Sequence, residues 1–398
     1  MLRLIRQFCG DRRGTVAVVL AVSVYPVMVM VVAAIDLTRA SQAETRLHAA
    51  VDIAALSVAR QLADGKLSGD PTPTARAIVE ANLGPSQLAN LQVSARIDGP
   101  AVKVDGSGQM QLTAGLMNTG PMNIAATASA IWRTKKIDLV LVLDNTGSMA
   151  NAGKMDALKT AATNLINTLS RAAPNRPDAV RVGIVPFDTQ VNVGTTYRNE
   201  TWLRFSGTTT ASNWTGCVID RNQPYDTDDT TPAGSDTGFP ARNCTTGKLA
   251  AILPLTTDWT ALTNKVAAMS PSGNTNVTIG LAWGLHMLTP SQPLTNARTI
   301  AQEPELERII ILLTDGDNTQ NRWSSSGSEI DARTDAACAN VKANGIRLYT
   351  IRVIDGDAAL LRRCASQTTM YYSVAQASEL GPVFARIATE ITQLRLTQ

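Results

Sequence analysis

The sequence predicts an α/β chain. Its larger part is a Rossmann-like domain, a mostly parallel sheet with helices on both faces, preceded by an N-terminal transmembrane helix and a small α+β region. Three observations carry this expectation. From residue 136 onward, short apolar runs alternate with amphipathic segments of helical period, the pattern of a parallel sheet covered by helices. The first of them is apolar at every position from Leu139 to Leu143, as a strand buried on both faces is. Residues 15–35 run for 21 residues without a charge, enough to cross a hydrocarbon layer of ~30 Å.

Arg3, Arg6, Arg12 and Arg13 precede the N-terminal run, and Asp36 with a mixed-charge stretch follows it. With Asp11, those arginines account for the whole formal net charge of +3. The rest of the chain is close to neutral and offers no basic patch for nucleic acid. The positive-inside rule makes residues 1–14 a cytoplasmic basic tip, residues 15–35 the membrane span and everything after Asp36 extracytoplasmic. Pro26 is tolerated within such a span. A cleaved signal peptide is the alternative, with "VVAA" at 31–34 as its cleavage site. Its apolar core normally covers only about 7–15 residues, so an uncleaved anchor is expected.

The helix continues outside the membrane over residues 36–65. Leu47, Val51, Ala54, Val58 and Leu62 recur every three or four residues as one apolar stripe, and Gly65 marks its end. His48 has no metal-ligand partner near it in sequence and reads as a surface or packing residue. Residues 66–135 form the small α+β region, with a helix at 74–83, strands at 91–97 and 101–105 about the turn "DGP", and a third strand at 122–132. Nothing in it looks catalytic.

Within residues 136–398, strands are predicted at 137–143, 180–185, 308–313 and 346–353, and helices at 154–169, 278–287, 330–343 and 379–394. The last helix places Leu380, Val383, Phe384, Ile387, Ile391 and Leu394 on one face, a core-packing stripe. In such a sheet, ligands sit at the carboxyl ends of the strands. The first strand ends in "DNTGS", where Asp144 is followed by the hydroxyls of Thr146 and Ser148. The strand at 308–313 ends in "TDG", with Asp315, and "GNT" at 273–275 offers Thr275 before a helix. Three loops at one sheet edge thus bring together two carboxylates and three hydroxyls. An all-oxygen set with two charges suits a hard divalent cation, Mg²⁺ or Mn²⁺, which keeps positions open to water or to a partner's oxygen.

In this order, on this alternating pattern, "DNTGS", "GNT" and "TDG" resemble the von Willebrand factor A (vWA) domain. The metal-ion-dependent adhesion site (MIDAS) of that family uses Asp-x-Ser-x-Ser, a distant Thr and a distant Asp. The resemblance implies metal ligands at Asp144, Thr146, Ser148, Thr275 and Asp315; Thr146 keeps the hydroxyl where the family usually has Ser. It also implies a protein partner that offers a carboxylate to the metal. The anchor and "RLHAAVDIAALSVAR" at 46–60 resemble the N-terminal region of TadG-like proteins of bacterial Tad (Flp) pilus assembly, which pair a membrane helix with an extracytoplasmic A domain. This implies a single-pass protein of the bacterial inner membrane, N-terminus in the cytoplasm, with the vWA domain in the periplasm or beyond. It further implies a pilin-like character for residues 66–135, and pilus or envelope components as partners in assembly or surface adhesion.

Cys9 falls on the cytoplasmic side and is expected as a free thiol. Cys217, Cys244, Cys338 and Cys364 fall on the exported side, where disulfides persist. Of their three pairings, Cys217–Cys244 closes a loop inside one insertion and Cys338–Cys364 ties the segments flanking the strand at 346–353; these two are expected. A zinc site competes, but no CxxC pair or histidine cluster supports it. The insertion, residues 194–248, is rich in Thr, Asn, Asp and Gly, with Trp202, Phe205, Trp214, Tyr225 and Phe239 scattered through it. It reads either as solvated surface or as a partner-binding flap in which Trp202 and Trp214 are anchors. Trp323, in "DNTQNRWSSSGSE" directly after Asp315 and Gly316, is the better candidate for partner contact.

An enzyme is the rival class. "DNTGS" superficially matches the Asp-x-Asp-x-Thr signature of haloacid-dehalogenase-type phosphatases, but Thr146 stands where the general acid is needed. His48 and His286 are the only histidines, and His286 lies in the apolar "IGLAWGLHML", so no Ser/His/Asp triad is credible. "DGDNT" lacks the later ligands of an EF-hand. The sequence therefore reads as a membrane-anchored, non-enzymatic binder that depends on a metal. A structural scaffold with a vestigial metal site is the alternative.

Overall fold

The computed structural model describes residues 13–63, 66–84, 88–99, 101–113, 120–131, 136–172 and 178–396. Arg3, Arg6, Arg12, Cys9 and the end markers Gly65, Pro100 and Trp132 lie outside the described residues. The chain divides into two compact units, Met1–Arg133 and Thr134–Gln398.

In the first unit, α1 (Arg13–Ala63) is a single helix of 51 residues, about 76 Å long at 1.5 Å per residue. Its first half turns large apolar side chains outward; Val22, Tyr25, Met28 and Leu37 are all more than half exposed. It is long and apolar enough to cross a membrane. From Leu47 onward the character changes. Leu47, Val51, Ala54, Val58 and Leu62, the stripe read from the sequence, are buried. They pack with α2 (Thr72–Leu83) against an antiparallel sheet of β1 (Leu88–Asp98), β2 (Ala101–Met110) and β3 (Met122–Ile131), in that order. Exposure along β2 and β3 alternates residue by residue, as it must when one face is covered. At Gly106 a Cβ would stand 2.8 Å from Val51 Cγ2, so a glycine there lets helix and sheet approach closely. His48 is exposed.

The second unit opens with β4 (Lys136–Asp144), α3 (Lys154–Ala172) and β5 (Val180–Phe187). The insertion then supplies short strands β6 (Val191–Asn192), β7 (Leu203–Arg204), β8 (Cys217–Val218) and β9 (Phe239–Arg242), which form their own sheet in the order β6-β8-β9-β7. The main chain pattern resumes with β10 (Leu253–Thr256), α4 (Trp259–Ala267), α5 (Val277–Leu288), β11 (Leu306–Thr314), α6 (Gly327–Ala343), β12 (Arg347–Val353), α7 (Ala358–Cys364), β13 (Tyr371–Val374) and α8 (Leu380–Leu396). The central sheet has the order β10-β5-β4-β11-β12-β13. All neighbours are parallel except β10, which lies antiparallel on β5 at the edge. The four predicted strands and four predicted helices of this unit are all present. Beyond them lie the edge strands β10 and β13 and the short helices α4 and α7, too brief to carry a readable period.

Successive residues of β4 feed two cores, because side chains alternate across a strand. Leu139, Leu141 and Leu143 meet α3, α4 and α8, where Leu380, Phe384, Ile387 and Ile391 are fully buried as the stripe predicts. Val140 and Val142 face α5, α6 and α7 on the other side. One charge interrupts the run: Asp138, fully buried, accepts from Arg181 Nη2 at 2.5 Å and Nε at 2.9 Å, with Arg298 Nη1 at 3.6 Å. Both expected disulfides form, Cys217–Cys244 within the insertion and Cys338–Cys364 between α6 and α7.

The insertion corrects one expectation. Trp202 and Trp214 are 1% and 3% exposed, so neither is an anchor offered to a partner. Trp202 packs edge-on against Phe239, which in turn lies 4.7 Å from Trp283 of α5 between ring centroids. Trp214 donates its indole N–H to Cys217 O at 2.7 Å. These aromatics extend the core over α5 instead of decorating a solvated flap.

Helix α5 sits close to the sheet through two glycines. A Cβ on Gly280 would stand 2.6 Å from the Phe187 ring and 3.1 Å from Val142, and one on Gly284 would stand 2.7 Å from Val142. Gly280→Val is therefore expected to cost about 1–3 kcal/mol by overpacking, read as a lower melting temperature. Gly381→Ala in α8, where nothing lies within 4 Å of the new methyl, is expected to be neutral or slightly stabilising.

Candidate metal centre

Strand register sets the site. Leu143 of β4 pairs with Leu313 of β11, so Asp144 and Thr314 leave the sheet at the same level, flanked by Phe187 of β5. Asp144 Oδ1 accepts from Thr146 N at 2.8 Å, a side-chain-to-backbone turn that bends the chain sharply at the strand end. Its Oδ2 accepts from Thr314 Oγ1 at 2.6 Å. The chain then enters a short turn of 3-10 helix, Gly147–Ala150, ahead of α3.

Backbone bonds dock the second loop onto this turn: Gly147 N donates to Gly273 O at 2.9 Å, and Ser272 N donates to Asn145 O at 2.8 Å. Gly273 has φ +86°, and a Cβ there would meet Asp188 Oδ2 at 2.8 Å, so both conformation and space require glycine. Thr275 N donates to Thr319 Oγ1 at 2.9 Å, while Thr275 O accepts from Thr319 N and Gln320 N. That pairing ties the loop after Asp315 to the loop of Thr275.

The five residues singled out in the sequence fall in one cluster. Ser148 Oγ donates to Asp315 Oδ1 at 2.6 Å and lies 3.0 Å from Thr146 Oγ1. Ser148 Oγ and Thr275 Oγ1 each lie 3.5 Å from the point where a Cβ on Gly316 would stand, so glycine keeps the space between the hydroxyls open. Asp144, Thr146, Thr275 and Asp315 are buried, and Ser148 is half-buried.

Three further groups shape the site. Lys154, the first residue of α3 and only 4% exposed, donates to Asp315 Oδ2 at 2.7 Å and lies 3.4 Å from the exposed Asp355 Oδ2. Burial alone would lower its pKa, but the contacts with Asp315 and Asp355 outweigh that and hold it raised. Thr314 orients Asp144. Asp188, at the end of β5, is pushed up to about 6 by burial, with the Asp144 charge adding to the rise. One signal for Lys154 was available: a cation at a helix N-terminus opposes the helix dipole and asks for a reason.

Asp144 is itself pushed up to about 6, first by burial and then by the neighbouring Asp315 charge, against the hydrogen bonds that favour its ionised form. Among the described residues no group of three or more His, Cys, Asp or Glu side chains is placed to hold a metal. The set here is of another kind, two carboxylates with three hydroxyls. Its chemistry fits Mg²⁺ or Mn²⁺: every donor is a hard oxygen, and two buried carboxylates repel each other until a cation joins them.

Comparison with known proteins agrees with this fold. Residues 250–386 match the von Willebrand factor type A domain, and β4 and β5, upstream of that match, complete the same sheet. Residues 14–61 match the Flp pilus-assembly TadE/G-like family. The chain therefore carries a TadE/G-like segment followed by a vWA domain. No curated protein sequence matches it. Among solved structures it is similar to the pilus adhesin SpaC from Lactobacillus rhamnosus GG, with 14% identity, a TM-score of 0.42, and coverage of 77% of this chain and 34% of that one. It is also similar to the vWF domain of the type V pili tip protein Mfa5 from Porphyromonas gingivalis, with 12% identity, a TM-score of 0.40, and coverage of 67% and 98%. A third likeness is proximal thread matrix protein 1 from the mussel byssus with a zinc-occupied MIDAS motif, with 14% identity, a TM-score of 0.37, and coverage of 64% and 48%. This chain thus spans about a third of the SpaC chain it matches.

A carboxyl whose folded pKa lies above its unfolded value stabilises the fold while protonated, and that stability is lost as pH rises through the folded value. Asp144 rises from 3.8 to about 6, so its charge weakens the metal-free fold above pH 6. Asp144→Asn is expected to raise the stability of metal-free protein at pH 7.5 by about 1–3 kcal/mol, and to change little at pH 4. Thermal unfolding in chelator at the two pH values measures this. A loss of stability at pH 7.5 would contradict the buried-charge account.

Proposed function

We propose that this is a single-pass, membrane-anchored protein whose vWA domain binds a protein partner through a divalent cation. Asp144, Thr146, Ser148, Thr275 and Asp315 would hold the ion, and its role is to present a positive charge that a carboxylate of the partner can reach. The observation that carries the reading is the meeting of five hard oxygens, two of them buried carboxylates, at the carboxyl edge of the sheet. The TadE/G-like segment supports a place among pilus or envelope components, in assembly or surface adhesion, and an inner-membrane anchor with its N-terminus in the cytoplasm.

Trp323 is the side chain beside this site that we assign to partner contact. It is 48% exposed, and its loop is bound to Thr275 through Thr319 and Gln320. The Arg322 guanidinium lies 4.2 Å over its ring and is held in turn by Asp220 O and Asn222 Oδ1. An exposed indole fixed in this way suits an interface anchor. A binding role is favoured over catalysis because His286 is fully buried against Trp283 and Phe239, and burial lowers its pKa well below the ordinary range. One observation favours a scaffold with a vestigial site as the second reading: Lys154 already neutralises Asp315.

Calorimetric titration of the full chain in detergent with MgCl₂ and MnCl₂ tests the metal. Saturable binding is expected in the parent and loss of it in Asp144→Ala. Partner capture from envelope extract should then fail in EDTA and return with Mg²⁺. Capture that persists undiminished in EDTA would favour the scaffold.

A further inference from the structure

We propose that Lys154 is an internal counter-ion that competes with the divalent cation for Asp315, and that Asp355 is where its ammonium goes when the cation takes over. This rests on the metal reading above and adds what sets the affinity of that site.

The geometry gives Lys154 two partners of different kinds. Asp315 Oδ2, at 2.7 Å, belongs to a fully buried side chain; Asp355 Oδ2, at 3.4 Å, belongs to one that is 70% exposed. The lysine side chain is itself 5% exposed. A buried ammonium persists only when paired, and breaking a buried pair strands a charge. Asp315 divides its two oxygens accordingly: Oδ1 accepts from Ser148 within the hydroxyl cluster, while Oδ2 is held by Lys154. One of the two proposed metal carboxylates is thus already neutralised from inside the protein. An incoming dication meets the Lys154 charge close by, at short range and away from water, where repulsion is strong. The exposed Asp355 offers the ammonium a second carboxylate without a return to bulk solvent. The site is therefore weak for metal alone and tightens when a partner's carboxylate adds negative charge.

The test is Mg²⁺ titration by calorimetry on the full chain in detergent, with melting temperatures in EDTA and in Mg²⁺. Lys154→Met is expected to bind Mg²⁺ about tenfold more tightly than the parent, by removal of a nearby positive charge. It should melt lower than the parent in EDTA and recover in Mg²⁺. Asp355→Asn alters an exposed side chain that leaves the folded core intact; it should weaken Mg²⁺ binding several-fold in the parent and change it little in the Lys154→Met background. That non-additivity separates an effect through Lys154 from one of long-range charge, which would persist in both backgrounds. Equal affinity in parent and Lys154→Met, or an Asp355→Asn effect of the same size in both backgrounds, overturns the counter-ion role while leaving the metal site standing. Absence of binding in parent and Lys154→Met alike overturns the metal reading itself. Binding only in Lys154→Met supports both.

Discussion

A parallel sheet buried on both faces leaves its strands nowhere to place a polar side chain except at their ends, and the second unit is arranged around that constraint. Strand β4 shows it twice. Near its start, Asp138 is buried beside Arg181 and Arg298, which neutralise it and fix it as part of the framework. At its finish, Asp144 is equally buried but has hydroxyls, a backbone N–H and another carboxylate around it in place of arginine. The same residue type on the same strand is inert at one end and charged with unspent affinity at the other. The difference lies in which loops the two edges receive. The carboxyl edge collects three turns rich in glycine and hydroxyls, and these offer oxygen without cancelling charge.

Much of this was legible in the sequence, for reasons that can be named. The central runs Leu139–Leu143 of β4 and Ile309–Leu313 of β11 are apolar at every position, and the long helices α3 and α8 carry more than three turns of stripe, so their period shows. Asp144, Thr146, Ser148, Thr275 and Asp315 sit directly at the ends of those readable elements, which is why they could be placed at one edge. The pairing of Lys154 with Asp315 and Asp355 was not legible, because it depends on how α3 and the loop after β12 converge; the sequence shows only a cation at a helix start. Thr314 was overlooked for the opposite reason: it sits inside a quoted motif, but its task is to orient Asp144 and not to face a ligand.

In the insertion, composition and burial part company, which is why Trp202 and Trp214 do not read from sequence as core. Its strands are two to four residues long, too short for alternation to register, and its Thr, Asn and Gly content speaks of loops. Yet Trp202, Trp214 and Phe239 are buried: Trp202 and Phe239 close over Trp283 of α5, Phe239 also over His286, and Trp214 bonds the backbone of Cys217, which the Cys217–Cys244 disulfide holds. A few large side chains can build a core where no periodic pattern exists. Trp323, on a different loop, keeps an exposed ring.

The unbroken helix α1 has a mechanical meaning. Its N-terminal half has the surface of a membrane span, and its C-terminal half is the central strut of the first unit, with Leu47, Val51 and Val58 clamped against the sheet. No loop separates the two halves, so the join between them is as stiff as the helix itself. A tilt or a pull imposed on the apolar half is delivered to β1, β2 and β3 as torque, without the slack that a flexible tether would interpose.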